Sequence, residues 1–77
     1  MNKNVRLEKL NMWRNTLKEL EAHLADILVK KGQAAQEGDL SENAAYTLAS
    51  EDAETTRVRI EEIKKIIREL EGDPSTR

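Results

Sequence analysis

The sequence predicts an all-α fold, an antiparallel two-helix coiled-coil hairpin, and three observations carry that expectation. Two stretches with apolar residues spaced by three and four flank a short turn-forming segment. The two spacings mirror each other about residue 40. The composition is also too lean for a thick globular core: of 77 residues, 36% are charged, 38% are hydrophobic and none is Phe. So short a chain buries limited area in any fold, and richness in Ala, Glu, Lys, Leu and Arg favours long helices.

Helix one is expected over about residues 5–37. Its seam runs Leu10, Trp13, Leu17, Leu20, Leu24, Ile27, Lys31 and Ala34. Steps of three and four average about 3.5 residues and keep one face toward a partner helix. Asn2 or Asn4 is placed to cap its start. Lys31 occupies a seam position, and near the thin end its stem can carry the ammonium to water.

The tip is expected at residues 38–41. Gly38 suits a left-handed residue past the end of helix one. Asp39 suits the N-cap of helix two, and Glu42 then falls at the third helical position, as in a capping box.

Helix two is expected over about residues 40–71, with the seam Tyr46, Ala49, Ala53, Thr56, Ile60, Ile63, Ile67 and Leu70. Across the two seams the residue numbers pair as 10 with 70, 13 with 67, 17 with 63, 20 with 60, 24 with 56, 27 with 53, 31 with 49 and 34 with 46. Every pair adds to 80. A chain that doubles back near residue 40, in register, produces that symmetry. Pairing between chains is the alternative, so a monomer is expected and a dimer is the competing arrangement. Arms of roughly 30 residues would be about 45 Å long. The open end carries bulky residues and the closed end alanines, so the tip should be slim. Glu71-Gly72-Asp73-Pro74 ends helix two, with residues 72–77 a tail. The whole chain reads as one domain, 1–77.

Composition excludes several functions. A net charge of −2 argues against a general nucleic-acid binder. With no Cys there is neither a disulfide frame nor a thiolate site. No apolar run is long enough for a signal peptide or a membrane span, so no membrane partner and a cytoplasmic location are expected. His23 lies off the seam and reads as a surface residue. No His-assisted nucleophile or phosphate-cradling glycine loop is present, so no autonomous enzyme is expected.

Charge is not spread evenly. Residues 32–56 contain six acids (Glu37, Asp39, Glu42, Glu51, Asp52, Glu54) and no Lys or Arg, whereas residues 1–20 contain five bases and two acids. Capping alone does not require this. Two carboxylates on an exposed tip can take a hard divalent cation through oxygen, but two ligands are too few for a tight site. A partner would have to supply the rest.

At these residues the chain resembles the Gre family of bacterial transcript-cleavage factors. The family's tip reads Gly-Asp-Leu-x-Glu-Asn-Ala-x-Tyr. Here it is Gly38-Asp39-Leu40-Ser41-Glu42-Asn43-Ala44-Ala45-Tyr46. Arg59-Ile60-x-x-Ile63 matches the family's second helix at the same distance from the tip. The resemblance implies a finger inserted through the secondary channel of RNA polymerase, with the nascent RNA 3′ end an indirect partner. By position Asp39 and Glu42 would be the pair supplied to the polymerase active centre. There they would help to hold a Mg2+ ion that belongs to the polymerase and is not bound tightly by the finger alone. Ser41 and Asn43 would be polar contacts in the same site, and Asn43 and Tyr46 would shape the tip. Catalysis would remain the polymerase's own, with this chain an activator.

Three departures qualify what the resemblance implies. Gre proteins carry a second, C-terminal domain that these 77 residues do not include, so an excised domain and a standalone finger with another way of docking both fit. Basic residues that some members place near the tip are Ala35 and Ser50 here. The Arg-Pro pair of the family's first helix is missing. A channel-blocking inhibitor and a plain coiled-coil interaction module are therefore the alternatives.

Overall fold

A computed structural model describes residues 2–72 and contains two helices, α1 (Lys3–Ala35) and α2 (Ala44–Glu71). They lie antiparallel in a rod of 55 × 15 × 14 Å. Among the described residues there is no strand, and no helix is long and apolar enough to cross a membrane.

Asn2 is the residue that caps α1: it is extended, and its Oδ1 accepts from Asn4 N at 2.8 Å. Along both helices all sixteen seam residues are buried or half-buried. Leu10, Ile63 and Ile67 form the centre of the core, with Trp13, Leu17, Leu20 and Leu70 packed against it, so the bulk lies at the open end. An ion pair from Arg14 Nη2 to Glu71 Oε2, at 2.7 Å, crosses between the helices there. Both side chains are about half exposed, so it contributes little to stability. Thr56 is buried in the seam, and its hydroxyl donates back to Asp52 O at 2.7 Å. That bond removes the penalty of an unpaired buried hydroxyl.

The seam extends one step further than the apolar pattern showed. Arg6, four residues before Leu10, is only 4% exposed, and its Nε has no acceptor among the described residues. The expected tail beyond Gly72 lies outside the described residues. Gly72 follows α2 at an ordinary φ of −84°, and its N–H donates to Arg68 O at 2.9 Å.

The connection is longer than expected. It spans residues 36–43, because α1 stops at Ala35 and α2 starts at Ala44. The cause is the choice of cap. Asn43, not Asp39, is the N-cap of α2, with its Oδ1 accepting from Tyr46 N at 3.1 Å. Its Nδ2 donates to Ala34 O at 2.7 Å, in the last turn of α1. One side chain thus satisfies a free donor of one helix and a carbonyl at the end of the other. A carboxylate at 39 can accept but has no proton to donate, so it cannot do both. Gly38 takes the reversal with φ +133°, a conformation that L side chains rarely adopt.

Replacing Asn43 by Ala is expected to destabilise the hairpin by about 1–2 kcal/mol, the upper part of the range for a lost cap. Asn43→Asp keeps the acceptor but loses the bond to Ala34 O, and is expected not to restore full stability. Urea denaturation followed by circular dichroism measures both.

Candidate functional site

The connection that Asn43 closes is also the acidic end of the rod. Asp39 forms a tight local turn: Ser41 N donates to its Oδ1 at 3.0 Å, and Ser41 Oγ donates to the same oxygen at 2.8 Å. The backbone follows with Glu42 N to Asp39 O at 3.2 Å and Asn43 N to Leu40 O at 3.4 Å. Asp39 and Glu42 are both exposed. They share one open hollow of about 350 Å³ with Glu37, Asn43 and Ala44.

The two bonds from Ser41, backbone first and hydroxyl second, hold Asp39 below its ordinary carboxylate pKa. Both favour the charged form. With a lowered folded pKa, the group's contribution to stability is present above its ordinary value and is lost as pH falls through the lowered one. At neutral pH Asp39 therefore stands as a carboxylate. Ser41→Ala removes the hydroxyl bond, so the Asp39 titration should move upward, which carboxyl NMR reads directly. An unmoved midpoint would show that the hydroxyl has no hold on the charge.

The four residues that the sequence placed at the site are thus together, but they are used differently. Asp39 and Glu42 face solvent. Ser41 spends its hydroxyl proton on Asp39. Asn43 is half-buried and uses both ends of its amide on the two helices. Its part as a clasp was the residue role that periodicity missed. The available signal was a residue able both to accept and to donate, three positions before Tyr46. Lys31, at its seam position, has a contact that the spacing did not show. Its Nζ lies 5.4 Å from the centroid of the Tyr46 ring. That cation–π contact holds the first turns of α2 against α1. His23 is exposed, as expected, beside Asp52, Thr55 and Arg59.

As a donor set the tip is two exposed carboxylates, suited to a hard cation bound through oxygen. Among the described residues no three acids, histidines or cysteines come together as a metal centre.

Comparison with known proteins bears on the origin of this tip. The model of the transcription elongation factor N-terminal family, GreA and GreB, matches residues 6–71. The transcription elongation factor GreA of Lachnoclostridium phytofermentans is 41% identical over 63 residues, an alignment that covers 71% of this chain and 39% of that protein. The chain thus spans about two-fifths of the length of that curated relative. No solved structure matches. With its helical hairpin and complete tip motif, this chain belongs to the Gre family of transcription elongation factors, as a match to their N-terminal coiled-coil domain.

Proposed function

We propose that the chain enters the secondary channel of RNA polymerase, tip first, and assists the polymerase in cutting the 3′ end of a backtracked transcript. One observation carries this reading: at one end of a rod about 15 Å across, Asp39 and Glu42 stand exposed around one hollow. A narrow rod can pass where a globular domain cannot, and its other end is where the bulky core lies.

In this reading Asp39 and Glu42 lend carboxylate oxygens to a magnesium ion shared with the polymerase. When bound, that metal would supply positive charge to both oxygens of an in-line phosphodiester displacement and lower the pKa of the attacking water. Ser41 orients Asp39 through its two bonds. Asn43 and Gly38 hold the turn that projects both acids. The chain contributes ligands and positioning, while the nuclease activity belongs to the polymerase, so the chain is not itself an enzyme. It acts as a monomer in the cytoplasm.

The test is to add the protein, with magnesium, to a stalled elongation complex and to follow RNA length. Shortened transcripts that can be re-extended are expected. Unchanged RNA at saturating protein would remove the cleavage role.

A second reading, a channel-blocking inhibitor, is favoured by one specific feature. No basic residue lies between residues 32 and 56, and Ser50, at a place where some relatives are basic, turns its Oγ into the protein. Such a tip repels RNA phosphates. This reading expects slower nucleotide addition with no shortening, and normal elongation at saturating protein would exclude it.

A further inference from the structure

Next to the tip carboxylates lies a face of α2, residues 44–51, that neither capping nor metal binding uses. Ala44, Thr47, Leu48 and Glu51 follow the spacing i, i+3, i+4, i+7 and so share one outward face of α2. With loop residues 41–43 this face lines a shallow hollow of about 440 Å³. Leu48 is 60% exposed there, although α2 buries Ala53, Ile60, Ile63 and Ile67 on its seam. Carboxylates stand on two sides of the hollow, Glu42 on the loop and Glu51 on the helix, and both are exposed. Among the described residues neither carboxylate has a hydrogen bond or ion pair. No Lys or Arg from residue 32 to 56 is available to neutralise them.

We infer that this hollow is a docking cradle for one cationic side chain, Lys or Arg, projecting from the partner protein. The chemistry matches part for part. An aliphatic stem lies on Ala44 and Leu48, removing apolar surface from water. The cationic head reaches Glu51, with Glu42 at the other side. A wholly apolar partner would leave the carboxylates desolvated and unpaired, at a penalty. A nucleic acid would set its phosphates against them. The inference rests on the reading that RNA polymerase is the partner, and places the cradle against the wall of its channel, next to the active centre.

The full chain, fluorescently labelled, is titrated with RNA polymerase at low and moderate salt, alongside Leu48→Ser and Glu51→Gln. Both positions are exposed, so circular dichroism should show unchanged helix. Each variant is expected to bind about tenfold more weakly, the scale of one well-placed interface contact. Glu51→Gln should also flatten the salt dependence, because a charge pair is lost. At saturating protein the cleavage rate should remain that of the wild type, since neither residue is a tip ligand. Wild-type binding with both variants within twofold of it would overturn the cradle and leave the parent reading standing. A steeper salt dependence in Glu51→Gln would overturn it also. Failure of the wild-type chain to bind polymerase would sink both readings together.

Discussion

Asp39→Ala is expected to lower transcript cleavage in a stalled elongation complex by about 100-fold while leaving both helices intact. The size follows from what a metal ligand supports: metal assistance amounts to several kcal/mol, and each 1.36 kcal/mol is about tenfold in rate. The specificity follows from the structure. Asp39 is exposed, and among the described residues its side chain bonds only to Ser41. Surface substitutions of this kind usually change stability by no more than about 0.5 kcal/mol. Glu42→Ala should fall in the same range, and the double variant should lose little more than either alone, because both act on one group. Single-turnover cleavage rates, with helix content checked by circular dichroism, measure this. Equal rates for wild type and Asp39→Ala would mean that the acidic tip is only part of a turn.

The second large effect lies at the far end. Ile63→Ala is expected to cost about 2–3 kcal/mol, the lower part of the range for deleting a buried large aliphatic side chain. Ile63 is only 7% exposed and packs in the cluster with Leu10 and Ile67. Yet a two-helix rod has a core one layer deep, and the space left by the side chain opens toward water, which limits the penalty. For a small domain that loss is still a large share of total stability. Val29→Ala, at 60% exposure on α1, is the control and should be close to neutral. Urea denaturation of the two variants gives the comparison. If Ile63→Ala behaved like Val29→Ala, the bulky end would not be the anchor of the hairpin.

The contrast between these two ends shows why some features were legible in the sequence and others were not. The seam was legible because burial in a coiled coil depends on spacing alone. Leu10 through Ala34 and Tyr46 through Leu70 are covered at every expected step, and the mirror relation fixed which faces meet. The start of α2 was misread because Asp39 and Glu42 satisfy a local capping rule. What decided the matter was a contact between residues nine positions apart, Asn43 Nδ2 to Ala34 O, visible only once the helices are side by side. Arg6 was missed for a related reason: as a charged residue it was left out of an apolar count whose spacing it continues. The contact of Lys31 with the Tyr46 ring was not legible because the ring comes from the other helix. At the tip, residue types alone identified the exposed carboxylates. The local turn that orients Asp39 needed coordinates, since it depends on both donors of Ser41 converging on one oxygen.

Delivery of the tip to the active centre of RNA polymerase can be observed without relying on cleavage stimulation. The chain contains no Cys, so a single cysteine at Leu40, 42% exposed in the tip connection, can carry a tethered iron chelate that cuts RNA nearby. In a backtracked complex, cuts are expected close to the RNA 3′ end. The same chelate at Met12, 52% exposed toward the open end, should give none there. Cutting near the 3′ end from Met12 but not from Leu40, or from neither, would contradict a rod that enters acidic end first.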